Sequence, residues 1–292
     1  MDISQWLNSA GKYLSQRRRG AGRIDAEAIL GHLTGMDRSA LYRDGHLELS
    51  PEKEKEAWIM AERRAGGEPL AYITGHREFM GMDFLVTPAV LIPRPETELL
   101  VEKALEILKE ARKNGENEPV AADIGTGCGA IAVSLAVLLD LAVVYATDIS
   151  GEALKVARQN AERLGAGGRV VLKQGDLLGP LAGIPGGGLH LLAANLPYVP
   201  SGEIPGLMAD VRDYEPHLAL DGGGDGLDLY RRLVPEAGKL LRPGGCLLME
   251  IGPGQGEAML GILGPGWEPE ILPDLAGRER LVIAKRRGYK GQ

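Results

Sequence analysis

Apolar residues recur at spacings of three and four through the first quarter of the chain. One face of the first predicted helix carries Ile3, Trp6, Leu7, Ala10 and Leu14. Asp25 is the predicted N-cap of a second helix, while Ser50 and Pro51 supply the N-cap and first turn of a third, which ends near Gly66. This periodicity predicts a small helical domain over residues 1–75.

The order of polar and apolar residues changes after this helical region. Residues 77–87 contain both phenylalanines of the chain, Phe79 and Phe84, on either side of Gly81. We predict a short β-hairpin here, with its turn near Met80 to Asp83. Residues 76–95 are accordingly interpreted as a hairpin linker between two domains.

Strands and helices alternate through the rest of the chain. The apolar runs predicted as strands are 120–124, 142–147, 170–173, 189–194, 246–251 and 281–284. The main helical patterns are 93–113, 130–139, 151–164 and 227–241. Such alternation is typical of a doubly wound, mostly parallel sheet covered by helices on both faces. The sequence therefore predicts an α/β domain over residues 96–292.

Composition and charge exclude several classes of function. Of the 292 residues 44% are hydrophobic, and neither a membrane-spanning run nor a secretory signal is evident, so we expect a soluble cytoplasmic protein. A formal net charge of −7 argues against strong non-specific binding to nucleic acid. The only cysteines, Cys128 and Cys246, belong to no metal-binding motif, so neither a metal site nor a disulfide is predicted.

A glycine-rich loop, Asp123-Ile-Gly125-Thr126-Gly127-Cys128-Gly129, follows the first strand of the α/β domain and opens a helix. Doubly wound sheets bind their ligands at this position. Further along, Asp148 ends the second strand, where its carboxylate can accept both hydroxyls of a ribose. After the third strand, Asp176 is a candidate acceptor for an adenine amino group, and Leu177 a candidate cover for the ring. A helix cap or a loop position is the alternative role for each aspartate.

The glycines by themselves permit two kinds of cofactor. Gly125, Gly127 and Ala130 also satisfy the G-x-G-x-x-A fingerprint of dinucleotide-binding dehydrogenases. Asp123 favours a cationic cofactor such as S-adenosylmethionine, because its carboxylate would repel a pyrophosphate. We therefore predict S-adenosylmethionine and count Asp123 among the residues that bind it.

The tetrapeptide Asn195-Leu196-Pro197-Tyr198 follows the fourth predicted strand. The side-chain oxygen of an Asn and the next backbone carbonyl can together accept both N–H bonds of a planar nitrogen. Proline fixes the turn, and the aromatic ring offers a face for packing against a flat group. The alternative is a strand-ending turn that has no chemical role.

Four regions of the chain resemble the bacterial peptide chain release factor glutamine methyltransferases, also called protein-(glutamine-N5) methyltransferases. These regions are 68–75, 86–98, 123–129, and 214–222 with 225–230. The resemblance implies a class I S-adenosylmethionine-dependent methyltransferase fold with a seven-stranded sheet, and an N-terminal helical domain that docks the substrate. It implies, as that substrate, the glutamine of the Gly-Gly-Gln loop of a class 1 translation release factor, methylated on its side-chain amide nitrogen.

Carried over to this chain, the resemblance assigns cofactor binding to Gly125 through Gly129 and to Asp148, and it places Leu177 beside the adenine. It assigns the glutamine to Asn195, Leu196, Pro197 and Tyr198. The family pattern is Asn-Pro-Pro-Tyr, so Leu196 is a departure. Leucine keeps the backbone carbonyl while some rigidity is expected to be lost.

Leu196 also matches the Asn-Leu-Pro-Tyr form found in methyltransferases that act on adenine in ribosomal RNA. An RNA adenine N6-methyltransferase is therefore the alternative enzyme, and a non-catalytic cofactor-binding adaptor is a further one. The family-specific regions and the acidic balance favour a protein substrate, with no direct contact to nucleic acid or membrane.

Two further features have open roles at this stage. Arg94, Glu96 and Glu98 either border the cofactor or belong to a helix start. The glycines of residues 221–226 permit either closure over the substrate or a simple turn.

Overall fold

The computed structural model describes residues 1–18, 20–115, 118–139, 143–184 and 188–288. The chain forms two compact units. The first unit comprises Met1–His76 and Met208–Tyr214, and the second comprises Arg77–Leu207 and the chain from Glu215 onward. The first unit thus includes a short segment distant in sequence, which the hydrophobic pattern does not indicate.

The helices are α1 (Ile3–Arg17), α2 (Arg23–Thr34), α3 (Arg38–Arg43), α4 (Pro51–Ala65), α5 (Leu70–Thr74), α6 (Glu98–Lys113), α7 (Ala130–Leu138), α8 (Gly151–Arg163), α9 (Ala209–Arg212), α10 (Asp228–Leu240) and α11 (Gly256–Leu263). The strands are β1 (His76–Phe79), β2 (Met82–Leu85), β3 (Val120–Ile124), β4 (Val143–Asp148), β5 (Val170–Gln174), β6 (Leu189–Ala194), β7 (Leu241–Glu250), β8 (Trp267–Pro273) and β9 (Glu279–Arg286). None of the helices in the described ranges combines the length and apolar composition needed to cross a bilayer.

The N-terminal helices pack around the apolar face that the periodicity predicts. Trp6, Leu7 and Leu14 are buried there. Ser50 caps α4 by accepting a hydrogen bond from Lys53 N, and Pro51 occupies the first turn, as predicted. Two short helices, α3 and α5, were not predicted, because they have only 6 and 5 residues and cannot show a helical period.

The predicted cap of α2 is wrong. This helix begins at Arg23 with Gly22 at the N-cap position, so Asp25 lies inside the first turn. The buried Asp25 carboxylate accepts a hydrogen bond from Arg64 Nε of α4 at 2.8 Å. The buried Asp25 carboxylate requires such a partner. The partner of Asp25 is thus a residue of another helix, 39 positions away in the sequence. A capping rule considers only neighbouring residues and cannot predict such a contact.

The second unit contains the predicted mostly parallel sheet, with the strand order β5-β4-β3-β6-β7-β9-β8 in the part of the chain that is described. The first five strands pair in parallel, whereas β9 runs antiparallel to β7 and β8 runs antiparallel to β9. The fold-class prediction is thereby confirmed. The predicted start of β4 at Ala142 lies outside the described residues.

The order of the strands brings two of the candidate motifs together. Strand β3 pairs with β4 on one side and with β6 on the other. Strands β4 and β5 therefore extend the sheet in one direction from β3, and β6 and β7 extend it in the opposite direction. Ile124 and Ala194 are directly opposite one another in the register. The glycine loop and the tetrapeptide therefore leave the carboxyl edge of the sheet side by side, where doubly wound sheets bind ligands.

The β1–β2 hairpin has its turn at Met80 and Gly81, both with positive φ, within the predicted range. Its second strand is attached to the glycine loop through the buried Asn160 of α8. Asn160 Nδ2 donates to Leu85 O at 2.9 Å and to Cys128 O at 2.8 Å, and its Oδ1 accepts from Leu85 N at 2.7 Å. One buried amide thus connects α8, β2 and the candidate cofactor loop.

Candidate active site

A cavity of about 340 Å³ opens at the carboxyl edge of the sheet, within the second unit. Its volume lies in the usual range for small-molecule sites. The predicted site residues that line it are Gly125, Thr126, Gly127, Cys128, Asp148, Asp176, Leu177, Asn195, Leu196 and Pro197. Three other predicted residues, Asp123, Gly129 and Tyr198, are not in its lining.

The backbone N–H groups of the glycine loop are largely engaged within the protein. Gly125 N and Thr126 N both donate to Thr147 O at 2.9 Å, and Gly129 N donates to Thr126 O at 2.8 Å. Gly127 N donates to Asp148 Oδ2 at 2.9 Å. A pyrophosphate is normally bound by free N–H groups at this position. The loop therefore suits a cofactor without phosphate better than a dinucleotide.

Asp123 supports the loop from outside the cavity. Its Oδ2 accepts hydrogen bonds from Thr126 Oγ1 at 2.6 Å and from Ala132 N at 3.1 Å. The side chain is fully buried, and burial raises its pKa from 3.8 to about 7. Asp123 is thus engaged in internal hydrogen bonds and lies outside the cavity lining, and its contact with the cofactor remains a prediction.

Asp148 lies at the cavity wall. Its Oδ1 accepts from Ser150 N at 2.9 Å, and its Oδ2 accepts from Gly127 N. The N-cap of α8 is Ser150, which accepts from Ala153 N at 3.2 Å, so Asp148 is not the helix cap. Each carboxylate oxygen retains acceptor capacity for a cofactor hydroxyl.

Asp176 and Leu177 lie where the chain leaves β5. The half-exposed Asp176 carboxylate forms an ion pair with Arg232, another residue of the cavity wall. Leu177 has φ of 46°, one of two positive values recorded for non-glycine residues in the described ranges, and its carbonyl accepts from Thr147 Oγ1 at 2.9 Å. Such backbone strain is concentrated at functional sites. The leucine side chain is thereby held in the cavity wall.

Asn195 is oriented by a neighbour that the sequence does not single out. Its Nδ2 donates to Thr97 Oγ1 at 3.0 Å, and Thr97 also lines the cavity. Among the described residues no donor is bonded to Asn195 Oδ1. A hydrogen-bond acceptor is therefore available on the residue predicted to hold a planar nitrogen.

Leu196 is held by packing and by its own N–H group. Its side chain is buried, and a Cβ built on Gly125 would lie 2.9 Å from Leu196 Cδ2. Leu196 N donates to the Tyr230 hydroxyl at 3.3 Å, and that hydroxyl donates to Glu250 O. A proline has no N–H group to make the first of these bonds. The rigidity expected to be lost with the family proline is thus supplied here by a different contact.

Tyr198 packs against the core of the second unit rather than into the cavity. Its hydroxyl donates to Glu250 Oε1 at 3.2 Å and accepts from Arg280 Nη1 at 3.4 Å. Burial and the nearby Glu250 carboxylate raise the pKa of Tyr198. Its role as a substrate contact remains a prediction.

Arg94 has an ion-pair partner that was not predicted. Arg94 lines the cavity and forms an ion pair with the buried Glu215, whose Oε2 accepts from Ile92 N at 3.3 Å. Glu98 instead accepts from Met80 N at 2.7 Å, and Glu96 is absent from the lining. The signal for this pair is that both partners lie in family-specific regions of the sequence.

Three of the glycines of residues 221–226, Gly222, Gly223 and Gly226, are required by close approach, whereas a Cβ on Gly224 would meet nothing within 4 Å. A Cβ on Gly222 would lie 2.6 Å from Pro197 O, and one on Gly226 would overlap Tyr198 O. Gln255 Nε2 bridges Tyr198 O at 2.9 Å and Asp225 O at 3.0 Å. These contacts favour a fixed turn that supports the tetrapeptide over a segment that closes on the substrate.

Comparison with known proteins shows what this chain is similar to. A family model described as PrmC N-terminal domain matches residues 5–75, and one described as ribosomal protein L11 methyltransferase (PrmA) matches residues 99–179. The chain is similar to the release factor glutamine methyltransferase of Moorella thermoacetica, with 49% identity over 98% of this chain and 99% of that one. It is also similar to that of Geobacter sulfurreducens, with 43% identity over 89% and 87%.

A solved structure shares the fold. The methyltransferase from Pyrococcus furiosus superposes with a TM-score of 0.52 at 21% identity, covering 78% of this chain and 97% of that one.

Proposed function

We propose the reaction of this protein from the premise that it belongs to the release factor glutamine methyltransferase family. It is an S-adenosylmethionine-dependent methyltransferase, and it methylates a release factor on a glutamine side-chain amide nitrogen. We infer that the glutamine is that of the Gly-Gly-Gln motif of class 1 release factors, which act in translation termination.

The residues that line the cavity support binding of S-adenosylmethionine. Asp148 would accept the ribose hydroxyls, Asp176 and Leu177 would contact the adenine, and Gly125 and Gly127 would permit close approach of the backbone. When bound, this cofactor supplies an electrophilic methyl group on a sulfonium. The occupied N–H groups of the loop leave few donors for a phosphate, which is consistent with this choice.

The free acceptor on Asn195 is the observation that carries the proposed holding of a planar nitrogen, and family membership makes that nitrogen the glutamine amide. We infer that Asn195 Oδ1 and the Leu196 carbonyl accept the two hydrogens of the glutamine amide, which fixes the nitrogen and increases its electron density. No histidine is found among the described residues that line the cavity. The reaction needs no general base, since the nitrogen becomes acidic once methylated and then releases its proton.

The partner and the setting of the reaction are also part of this proposal. We infer that the helical region of residues 1–75 docks the release factor, that the hairpin region of residues 76–95 connects it to the catalytic region of residues 96–292, and that the enzyme works in the cytoplasm. The net charge of −7 agrees with a protein substrate rather than with nucleic acid.

One observation favours a second candidate. The Leu196 form of the tetrapeptide is shared with methyltransferases that act on adenine in ribosomal RNA. An exocyclic adenine amine also presents two N–H groups in a plane, so the same two acceptors would suit it.

Purified protein, cofactor with a labelled methyl group, full-length class 1 release factors and ribosomal RNA would distinguish the candidates. We expect label in the release factor, and mass spectrometry should place it on the glutamine of the Gly-Gly-Gln peptide. Label in adenine and none in the release factor would overturn the assignment. Tight cofactor binding without transfer to either substrate would indicate a binding adaptor.

A further inference from the structure

Three side chains from distant parts of the sequence, two of them buried, form a series of hydrogen bonds that ends on Asn195. Glu250, the last residue of β7, accepts a hydrogen bond at its Oε2 from Thr97 Oγ1 at 2.7 Å. Thr97 Oγ1 in turn accepts one from Asn195 Nδ2 at 3.0 Å. Thr97 is 4% exposed and Glu250 is 1% exposed, so water does not compete for these bonds.

The chemistry of the series determines the direction of each hydrogen bond. A carboxylate can only accept, so the single proton of the Thr97 hydroxyl is directed to Glu250. Thr97 Oγ1 can then only accept from its other neighbour, and Nδ2 is the only donor that the Asn195 side chain possesses. Asn195 Oδ1 must consequently point away from Thr97.

A buried carboxylate fixes this direction only while it stays charged. Burial raises the pKa of Glu250, and the hydrogen bonds from Thr97 and Tyr198 and the charge of Arg280 act against that rise. Tyr198 OH donates to Glu250 Oε1 at 3.2 Å. The buried Arg280 donates to Tyr198 OH at 3.4 Å and to Ile251 O at 3.2 Å, which places a positive charge close to Glu250. A buried ion of one sign requires such compensation.

We propose that Thr97 and Glu250 are positioning residues that fix the orientation of the Asn195 carboxamide, so that Oδ1 and not Nδ2 faces the substrate nitrogen. In the reverse orientation Asn195 would present donors to a nitrogen that itself carries two N–H groups, and the substrate would lose an acceptor. This inference rests on the proposed role of Asn195 in holding the substrate.

Thr97→Val tests the proposal, because valine keeps the shape of threonine and removes the hydroxyl. We expect kcat for methylation of the release factor to fall on the order of 10- to 100-fold, as for other small losses of alignment. KM for the release factor and the affinity for S-adenosylhomocysteine, measured by calorimetry, should change little. Thr97→Ser, which restores the hydroxyl, should return kcat to the wild-type value.

A double-mutant cycle separates positioning from a general structural role. If Thr97 acts only through Asn195, adding Thr97→Val to Asn195→Ala should cause no further loss of kcat. An equal loss in both backgrounds, or a Thr97→Val protein with wild-type kcat, would overturn the proposal. Glu250→Gln provides a second test if Thr97→Val fails to fold. At nearly constant volume it replaces a group that only accepts with an amide that can also donate, so the direction of the Thr97 hydroxyl is no longer fixed. This variant should lower kcat without lowering the affinity for S-adenosylhomocysteine.

Failure of this inference can be told apart from failure of the proposed function. If the wild-type protein methylates adenine instead of the release factor, the proposed function is wrong. The same variants are then assayed on RNA, where Asn195 Oδ1 would again be the acceptor. A loss of kcat in Thr97→Val that Thr97→Ser restores would support positioning with either substrate.

Discussion

Gly125 and Leu196 are in contact across two motifs that lie about 70 positions apart in the sequence. Gly125 has φ of 74°, and a Cβ there would lie 2.9 Å from Leu196 Cδ2. Any larger residue at position 125 would therefore destabilise the protein in two ways, through the left-handed backbone conformation and through the clash with Leu196.

Gly125→Ala should lower both the melting temperature and the affinity for S-adenosylmethionine. Gly165→Ala is the matched control, because Gly165 has φ of 73° and nothing within 4 Å of a built Cβ. We expect Gly165→Ala to cost about 1 kcal/mol from the backbone alone, and Gly125→Ala to cost more. Adding Leu196→Ala to Gly125→Ala should recover part of the difference. Equal melting temperatures for the two single variants would contradict this account of the contact.

Asp123 should make the stability of the protein depend on pH. Its pKa is raised by burial from 3.8 to about 7 in the folded protein, so the unfolded chain ionises first as the pH rises. The folded state binds more protons between these values, and the contribution of Asp123 to stability is therefore present at low pH and lost as the pH rises through 7.

Chemical denaturation between pH 4 and pH 8 would measure this effect against Asp123→Asn, which cannot ionise. The free energy of unfolding of the wild type, relative to that of the variant, should decrease with rising pH and level off above pH 7. A difference that does not change with pH would show that the buried carboxyl keeps its ordinary pKa, and one that increases would show that its pKa is lowered; either result would contradict this account.

Among single residues, the sequence predicts those that belong to a local motif and misses those that act over long distances. The glycine loop, Asp148, Asp176 and the tetrapeptide are each adjacent to a strand end, and parallel strands bring such ends together. Thr97, Glu215, Tyr230 and Glu250 are polar residues that contact the site from other elements. Glu250 has a local signal, because it is a polar residue that ends an apolar strand, whereas Thr97, Glu215 and Tyr230 are indicated only by lying in the regions that resemble the family.

Helix α10 is bonded to the chain at the ends of strands β6 and β7. Tyr230 of α10 is fully buried, and its hydroxyl bonds both to Leu196 N and to Glu250 O at the end of β7. One side chain thereby connects the carboxyl ends of two adjacent strands to a helix.

Leu196→Pro should lower the free energy of unfolding even though proline is the family residue. The variant loses the bond to Tyr230, worth about 1 kcal/mol, together with the buried leucine side chain. Methyl transfer should persist, because the carbonyl of residue 196 is retained. Denaturation of Leu196→Pro, Tyr230→Phe and the double variant would measure the coupling between the two positions. Strict additivity would mean that the bond contributes nothing.

The elements that the sequence misses have physical reasons to be missed. Strand β8 contains two prolines and two glutamates and is largely exposed, so it lacks the apolar run that indicates a strand. It can contain them because it is the last strand of the sheet order and pairs only with β9. Strand β7 begins at Leu241, five positions before the predicted start, across the polar sequence Arg-Pro-Gly-Gly.

The two compact units of the molecule are each assembled from distant segments. In the first, α9 joins the N-terminal helices, where Asp210 forms an ion pair with Arg18 at 2.8 Å and Tyr214 OH donates to Gly66 O at 3.2 Å. Periodicity predicts the helices of this unit, but it contains no information on which later segment returns to them. The sheet of the second unit is more predictable because its strands follow one another in a regular alternation.

The central claim concerns the second unit as a whole, in which the strand order places an acceptor on Asn195 beside a cofactor cavity. Methyl transfer to a full-length class 1 release factor, compared between the wild type and Asn195→Ala with mass spectrometry of the Gly-Gly-Gln peptide, tests it most directly. We predict a methylated glutamine with the wild type, a loss of about 100- to 1,000-fold in the variant, and equal binding of S-adenosylmethionine by both. A variant with nearly wild-type turnover, or a wild type that leaves this glutamine unmodified, would contradict the account.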